Sequence, residues 1–226
     1  SLHCTALRPR YAPLPLLCVG NLTAGGAGKT PLVALLAAYF TERGYRPHIL
    51  ARGYGGRLSS YTPLAVQPEH RAGDVGDEPL WLQRYAPVWI GRKRLRAADH
   101  ARQAGADLLI SDDGLQHPGL RPHLALAVLD GAYGFGNGAV LPSGPLREPL
   151  FRALARLHAL VLIGPDRHQL LRHLPDHITV LRGHSQTELP PSLPAENPLL
   201  AFAGIGRPQK FFDGLRQAGA TLAETV

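Results

Sequence analysis

Short runs of apolar residues, each ending in a turn, recur along the chain. The clearest runs span residues 14–19, 47–51, 108–111 and 124–129, and each is followed by glycine or polar residues. Apolar runs of this length are typical of strands that are buried on both faces of a parallel sheet. Further strands are predicted at residues 88–91, 157–164, 178–181 and 199–203.

Helical periodicity follows the first of these strands. From Lys29 onward apolar side chains recur at helical spacing, Pro31 lies in the first turn, and Gly44 ends the segment. The same criteria predict helices near residues 92–104, 167–173 and 208–218. Residues 57–80 are predicted to be irregular. Residues 131–149 form a long loop rich in glycine and proline, and loops of this kind are usually functional or disordered.

The alternation of strands and helices predicts an α/β fold. We expect a mostly parallel sheet covered by helices on both faces, of the P-loop NTPase type, with a smaller C-terminal α/β part. The predicted division places this domain at residues 1–188 and assigns residues 189–226 to a proline-rich linker and the start of the C-terminal part. Because the chain contains no methionine and begins with serine, we expect it to be a truncated piece of a longer protein.

The composition excludes some classes of protein but does not identify the ligand. The formal charge of +7 favours anionic partners such as nucleotides, phosphosugars, acidic membrane surfaces or nucleic acid. No apolar run approaches the roughly 20 residues that span a bilayer, and no signal peptide is recognisable. Cys4 and Cys18 lack the spacing of a disulfide framework or a metal site, which favours a reducing, cytosolic setting.

A glycine-rich turn joins the first strand to the first helix, which is the order of a P-loop. Glycine lets successive backbone N–H groups point at phosphate oxygens, and the helix N-terminus adds positive potential. Lys29 is then expected to reach the β and γ phosphates and Thr30 to ligate Mg²⁺. Thr23 occupies the position where the general motif has glycine. The alternative is a glycine-rich turn that happens to precede a lysine.

The strand at 108–111 runs into two aspartates. Asp112 and Asp113 occupy the position from which an acidic side chain on a neighbouring strand is aimed at the P-loop magnesium. The alternative is that both only cap the turn after the strand. ATP is favoured over GTP because the Asn-Lys-x-Asp and Thr-Lys-x-Asp motifs are absent. Ala24 stands where partition-type ATPases place a second lysine, which argues against that class of ATPase.

Three further groups of polar residues are candidates for chemistry. Asp77 and Glu78 could supply the carboxylate that accepts a hydroxyl proton in phosphoryl transfer, although such a pair is more often solvated in a turn. His117 lies beside the paired aspartates, although a lone histidine is more often a hydrogen-bonded loop residue than a catalyst. Arg147 and Glu148 could form a surface ion pair, or the arginine could bind phosphate.

With these residues in place, the chain resembles the tetraacyldisaccharide 4'-kinases, the lipid A 4'-kinases of Gram-negative bacteria. The matching segments, in family order within residues 18–150, are VGNLTAGGAGKTPLV, LARGYGG, VGDEPLWL, ISDDGLQH, VLDGAYGFGNG and LPSGPLREPL. Six blocks in order are far more specific than a P-loop alone, and Thr23 agrees with the family form of the motif.

The resemblance implies ATP-dependent transfer of the γ-phosphoryl group to the 4'-hydroxyl of a tetraacylated disaccharide 1-phosphate. It also implies peripheral contact with an anionic membrane at the cytoplasmic face of the inner membrane, with no nucleic-acid partner. Asp77 becomes the base, supported by Glu78, with Lys29 neutralising charge and Thr30, Asp112 and Asp113 organising Mg²⁺. The implied triphosphate-binding residues are Thr23, Ala24, Gly25, Gly26, Ala27, Gly28, Lys29 and Thr30. The implied substrate or phosphate contacts are Arg52, Tyr54, Gln116, His117, Arg147 and Glu148.

Two alternatives to this function stay open. One is a nucleotide-switch ATPase whose output is an interaction with a protein partner. The other is a nucleotide-binding fragment without activity, because the family continues into Phe-Pro-Asp-His-His and Thr-Glu-Lys-Asp blocks that this chain does not contain. If a histidine of those blocks assists Asp77, this chain lacks it.

Overall fold

The computed structural model describes residues 10–26, 28–60, 62–117, 119–190, 198–204 and 208–226. The strands are β1 (Arg10–Tyr11), β2 (Leu16–Asn21), β3 (Pro47–Ala51), β4 (Leu64–Ala65), β5 (Val88–Ile90), β6 (Leu108–Asp112), β7 (Leu120–Arg121), β8 (Leu124–Asp130), β9 (Ala159–Ile163), β10 (Thr179–Gly183), β11 (Leu199–Ala201) and β12 (Leu222–Thr225). The helices are α1 (Lys29–Glu42), α2 (Ala72–Val75), α3 (Asp77–Leu82), α4 (Arg94–Gln103), α5 (Leu150–Leu154) and α6 (Pro208–Gln217), with a 3-10 helix at Leu170–His173.

One large sheet organises the described part of the chain. Its eight strands lie in the order β10-β9-β8-β2-β6-β3-β5-β4. All neighbouring pairs are parallel except β4 with β5. The predicted α/β fold with a mostly parallel sheet is therefore confirmed.

Helices cover both faces of the sheet because the strands are apolar on both sides. Along β2, Leu16 packs in one hydrophobic cluster and Leu17 in another, so consecutive residues face opposite layers. The Leu17 cluster includes Val33 of α1, whereas the Leu16 cluster includes Ala97 of α4. Such two-sided burial produces the unbroken apolar runs seen in the sequence.

The strand order determines where a site can form. The chain passes from β2 to β3, leaving a gap that β6 later fills, and then crosses to β8 on the other side of β2. In open parallel sheets, ligands bind beyond the carboxyl ends of the strands where the order reverses. The P-loop after β2 and the two aspartates at the end of β6 lie at this edge.

Several predicted boundaries differ from the structure. The first strand is Leu16–Asn21, two residues later than predicted, and only a 3-10 helix at Leu170–His173 stands where residues 167–173 were predicted to be helical. The prediction that residues 57–80 are irregular is wrong for β4, α2 and the start of α3. These elements are too short for periodicity to reveal them. No named helix or strand lies within the loop at 131–149, although Val140 and Leu146 form an isolated β-bridge.

The C-terminal segment forms a second, small sheet. Strands β11 and β12 pair in parallel, and α6 lies between them in sequence. Lys210 of α6 contacts Asp130, at the end of β8, with 2.7 Å between Nζ and Oδ2. Most of the predicted linker at 189–198 lies outside the described residues, so the domain division stays a prediction.

The helices of the described part of the chain are short. None of the helices that the structure describes combines the length and the apolar character needed to cross a membrane.

Candidate functional site

The turn between β2 and α1 has the backbone geometry of a phosphate-binding loop. Gly25 and Gly28 have φ of 103° and 92°, a region that side-chain-bearing residues rarely adopt. Lys29 is the first residue of α1, so its side chain and the helix N-terminus are at the same place. The predicted residue Ala27 lies outside the described residues.

The long loop at 131–149 supports this turn. Thr23, which is only 3% exposed, forms a β-bridge with Leu146. The N–H of Ala24 donates to the carbonyl of Pro145 at 2.7 Å. Thr23 therefore packs against the supporting loop, which gives a structural reason for a residue larger than glycine at this position.

Lys29 is held by two oxygen atoms. Its Nζ donates to Asn21 Oδ1 at 3.1 Å and lies 3.2 Å from Asp113 Oδ1. Asn21 is fully buried, and its Nδ2 donates to the carbonyl of Gly25 at 2.9 Å. One side chain at the end of β2 thus fixes both the loop backbone and the lysine. Asn21 was not predicted as a site residue; its only signal in the sequence is that a polar residue ends an apolar strand.

The two aspartates after β6 have opposite electrostatic environments. Asp112 is 4% exposed, and its Oδ1 has no hydrogen-bond partner among the described residues. Burial raises the pKa of Asp112 to about 6, the charge of Glu78 adds to this, and Lys29 opposes it. Burial would also raise the pKa of Asp113, but Lys29 and Arg147 outweigh it and lower that pKa.

Arg147 binds Asp113 in this structure. Its Nη1 lies 3.0 Å from Oδ1 and 2.9 Å from Oδ2 of that carboxylate. Asp113, with φ of 50°, therefore holds two cations, Lys29 and Arg147, beside the phosphate-binding turn. Lys29 and Arg147 are the cations that a triphosphate would attract. In this structure the Asp113 carboxylate interacts with them in place of phosphate oxygens.

Glu148 and Gln116 form hydrogen bonds that hold residues of the site in position. Glu148 Oε1 accepts from Gln116 Nε2 at 3.1 Å and from Arg156 at 2.6 Å. Gln116 Nε2 also donates to the carbonyl of Asn21 at 3.3 Å. Glu148 is not among the residues that line the clefts described below, whereas its neighbour Arg147 is. The role of Glu148 as a substrate contact stays a prediction.

Asp77 and Glu78 form the first turn of α3, in a region predicted to be irregular. Gly76, with φ of 91°, turns the chain into this helix, and its Cα approaches the Tyr54 carbonyl so closely that a Cβ would clash. Thr30 Oγ1 donates to Glu78 Oε1 at 3.3 Å. The acidic pair is therefore placed directly beside the start of α1.

A cleft of about 510 Å³ brings most of the predicted residues together. Its polar lining comprises Lys29, Arg52, Tyr54, Asp77, Glu78, Asp112, Asp113 and Arg147. Tyr54 is 82% exposed and so is free to contact a ligand. Thr30 lies on an adjoining groove that Asp77 and Glu78 share. Gln116 and His117 line a second pocket, which shares Arg52, Asp113 and Arg147 with the first.

Comparison with known proteins identifies the family. The family model for tetraacyldisaccharide-1-P 4'-kinase (LpxK) matches residues 2–226. The chain belongs to this family. It is 53% identical over 213 residues to the tetraacyldisaccharide 4'-kinase of Gluconacetobacter diazotrophicus, covering 94% of this chain and 64% of that protein. The corresponding protein of Gluconobacter oxydans is 49% identical over 214 residues, covering 92% and 64%.

The solved structure of one relative has a similar fold. The "apo" form of LpxK from Aquifex aeolicus in complex with ATP superposes with a TM-score of 0.78 at 26% sequence identity. The superposition covers 97% of this chain and 72% of that one. The chain thus spans less than two thirds of the length of the curated relatives named above.

A cluster of metal-binding side chains was not found among the described residues of the site. Within the described ranges, no group of three or more His, Cys, Asp or Glu side chains is arranged to bind a metal. The buried, unpartnered Oδ1 of Asp112 is nevertheless the kind of atom that a hard cation binds. The Asp112 carboxylate therefore suits a Mg²⁺ ion whose other ligands come largely from phosphate and water.

Proposed function

We propose that the protein transfers the γ-phosphoryl group of ATP to the 4'-hydroxyl of a tetraacyldisaccharide 1-phosphate. The observation that carries this proposal is the cleft in which the P-loop lysine, the Asp112–Asp113 pair and the exposed Asp77 face one another. Membership of the family, and the ATP bound in the solved relative, support it. The reaction would be one step of lipid A biosynthesis.

The phosphates are bound and neutralised by residues that are already clustered. Gly25, Gly26 and the N-terminus of α1 offer backbone N–H groups to the triphosphate. The side-chain nitrogens of Lys29 and Arg147 lie within 3.2 Å of the Asp113 carboxylate. Little movement would therefore bring them into contact with phosphate oxygens. Cations fixed in advance stabilise the charge that develops in phosphoryl transfer.

Thr30, Asp112 and Asp113 are the residues that would hold Mg²⁺. When bound, the ion neutralises charge on the phosphates and orients them. The Asp112 carboxylate is buried without a partner for Oδ1, so its charged form is disfavoured until a cation compensates it. We therefore expect metal and nucleotide to bind together rather than separately.

Asp77 is the proposed base toward the sugar hydroxyl. It is exposed, lines the same cleft as Lys29, and lies in the first turn of α3, whose start is fixed by Gly76. As the hydroxyl oxygen bonds to the γ phosphorus, its proton passes to the Asp77 carboxylate and the bond to the β-phosphate oxygen breaks. Glu78 accepts a hydrogen bond from the Thr30 hydroxyl, which helps to fix the positions of Glu78 and Thr30. No covalent phosphoenzyme is needed.

The acceptor is a lipid, so the sugar is presented at a membrane surface. The net charge of +7 suits an anionic leaflet. We propose peripheral contact with the inner membrane from the cytoplasmic side. Vesicle sedimentation tests this part: binding should rise with the fraction of anionic lipid, and equal binding to neutral vesicles would remove the proposal without affecting the kinase activity.

The alternative from another class is an ATPase switch acting through a protein partner, and one experiment separates the two. The full-length protein is incubated with ATP, Mg²⁺ and the disaccharide 1-phosphate acceptor. A 4'-phosphorylated product supports the kinase, whereas ADP and free phosphate alone would rule it out.

Two variants sharpen this experiment. Asp77→Asn should abolish transfer while ATP affinity stays within about twofold, since the carboxylate is proposed to act on the acceptor. Asp176→Asn, a substitution of an exposed aspartate before the amino end of β10, is the matched control. Normal turnover in Asp77→Asn would remove Asp77 from the role of base.

A further inference from the structure

Two further pockets lie at the opposite edge of the large sheet, where β3 and β5 begin. Their volumes are about 300 and 520 Å³. Both are lined by His48, Tyr85 and Pro87, so together they form one groove, the amino-edge groove. The phosphate-binding turn and Asp112 lie at the carboxyl ends of the strands, at the other edge. A ligand in the amino-edge groove is therefore not a reactant of the proposed transfer.

His48 is the one polar side chain of strand β3 and is only 7% exposed. Its Nδ1 accepts from Trp89 Nε1 at 3.1 Å, so the neutral ring carries its proton on Nε2. Burial lowers the pKa of His48, Asp107 opposes this, and Arg46 adds to it, which keeps the ring neutral at pH 7. Nε2 forms no hydrogen bond to any residue that the structure describes. The groove thus contains a nearly buried N–H donor that needs an acceptor.

Aromatic rings form part of the groove walls. Tyr45 and Tyr85 are 51% and 39% exposed, so a ligand can reach their faces. Each packs against a neighbouring ring: the centroids of Tyr45 and Phe40 are 5.7 Å apart, and those of Tyr85 and Trp81 are 5.0 Å apart. Rings held in this way offer a stacking surface to a planar ligand at a small cost in side-chain entropy.

Gln83 supplies a second polar group to the larger pocket. Its Nε2 donates to the Val66 carbonyl at 2.9 Å, which leaves Oε1 as an acceptor. No described residue donates to this oxygen. His48 lines the same pocket, so a donor and an acceptor are available side by side with the aromatic rings. Such a pair matches the adjoining acceptor and donor atoms on the edge of a nucleobase.

The charge of the groove favours an anion with one phosphate group. Among the described residues that line it there is no aspartate or glutamate, whereas Arg46 and Arg84 both contribute. Arg46 is paired with Asp107 at 3.3 Å, but Arg84 forms no ion pair within the described part of the chain. One available guanidinium suits one phosphate. The turn and the lysine that suit a triphosphate lie at the other edge of the sheet.

We propose that the amino-edge groove binds a nucleoside monophosphate. The base lies between the aromatic rings with its edge toward His48 and Gln83, and the phosphate lies beside Arg84. The larger pocket alone, about 520 Å³, has the size of a typical small-molecule site. The proposal goes beyond the proposed kinase function and does not depend on it.

Calorimetric titration of the full-length protein tests the proposal. AMP, GMP, CMP and UMP are added in turn, with Mg²⁺ and a saturating non-hydrolysable ATP analogue present to occupy the phosphate-binding turn. At least one should bind with a Kd below about 1 mM, and its nucleoside and ribose 5-phosphate should each bind at least about tenfold more weakly. Absence of binding by all four, or equally tight binding of ribose 5-phosphate, would overturn the proposal.

Two variants locate the site. Arg84→Gln should weaken binding of the monophosphate about tenfold and of the nucleoside less than about twofold. His48→Asn removes the Nε2 donor, while its amide oxygen can still accept from Trp89, and should weaken binding of both ligands about tenfold. Arg102→Gln, at an exposed position of α4 outside the groove, is the matched control. Unchanged affinity in Arg84→Gln would refute the assignment, because that exposed residue can be replaced without disturbing the fold.

A conservative replacement separates the donor from the packing of His48. His48→Gln places an amide N–H near the position of Nε2 and should restore part of the affinity that His48→Asn loses. Equal losses in the two variants, at equal melting temperatures, would remove His48 from the site. Since nucleotide binding is measured without the lipid acceptor, a negative result here leaves the proposed kinase function in place.

Discussion

The two strands that flank β2 both end in a buried aspartate followed by a turn. Asp112 ends β6 and is 4% exposed; Asp130 ends β8 and is 6% exposed. Their surroundings differ. Asp130 Oδ2 lies 2.7 Å from Lys210 Nζ, and its Oδ1 accepts from the N–H of Ala132 at 3.0 Å. Asp112 Oδ1 has no hydrogen-bond partner among the described residues.

The difference shows how similar local sequences serve different purposes. Both aspartates end apolar strands, but Asp130 is paired with a lysine of the C-terminal segment, whereas Asp112 Oδ1 has no hydrogen-bond partner among the described residues and only the nearby charges of Lys29 and Arg94 oppose the effect of burial. A buried carboxylate without a partner is unfavourable for stability. Its position beside the phosphate-binding turn is the reason for the proposal that a bound cation compensates it.

The largest expected effect is on catalysis. Asp112→Asn should lower kcat for the proposed transfer at least about a thousandfold, because the amide cannot replace a charged metal ligand. Asp130→Asn, the matched variant on the other strand, should stay within about threefold of the unaltered protein. Steady-state kinetics at saturating Mg²⁺ measure both. Comparable losses in the two variants would abolish the functional distinction between the strands.

The next effect concerns stability against pH in metal-free buffer. The pKa of Asp112 is raised from the ordinary 3.8 to about 6 in the folded protein, so the native state binds more protons between these values and stability falls as pH rises through this window. Asp112→Asn should therefore be more stable than the unaltered protein above about pH 6, by up to about 3 kcal/mol. The gap should close below about pH 4. Urea unfolding at several pH values, with EDTA present, measures it; a constant gap would contradict this origin.

A smaller effect is expected at the other strand end. Lys210→Met should destabilise the protein by about 1–2 kcal/mol, because it leaves Asp130 buried without its cation. The Lys210→Met/Asp130→Asn double variant should lose less than the sum of the single losses, with a coupling of about 1 kcal/mol. Urea unfolding of the four proteins gives the cycle. Additive losses would mean that the 2.7 Å contact contributes nothing to stability.

The smallest effect is expected on β2, between the two strands. Asn21→Ala removes the hydrogen bonds to Lys29 and to the Gly25 carbonyl, and should weaken ATP binding about tenfold, since a hydrogen bond to a charged group contributes about 1.5 kcal/mol or more. Adenosine, which has no phosphates, is the control ligand and should bind as before. An equal loss for both ligands would point to general disruption of the fold.

The sequence predicted the parts of this site that depend on local order. Strand, turn and helix around Lys29 are adjacent in the chain, so periodicity and glycine spacing were sufficient. The helix bearing Asp77 was missed because α2 and α3 have only four and six residues and are interrupted by Gly76. Asp77 was nevertheless selected on chemical grounds and from the resemblance to a family; it lines the cleft, and its role as base stays a prediction.

Residues whose role depends on tertiary contacts were not predictable. Asn21, Arg94 and Lys210 acquire meaning only through partners that are 8, 18 and 80 positions away. Asp112 and Asp130 follow similar strands, and nothing local distinguishes the one that meets a lysine from the one that does not. The strand order that places β6 and β8 beside β2 carries that information.

The most direct measurement is of metal affinity in the nucleotide complex. Mn²⁺ binding to the full-length protein, in the presence of a non-hydrolysable ATP analogue, is followed by electron paramagnetic resonance for the unaltered protein, Asp112→Asn and Asp130→Asn. We expect Asp112→Asn to weaken Mn²⁺ binding at least about tenfold, whereas Asp130→Asn should bind Mn²⁺ as the unaltered protein does. Unchanged affinity in Asp112→Asn, or the same loss in both variants, would contradict it.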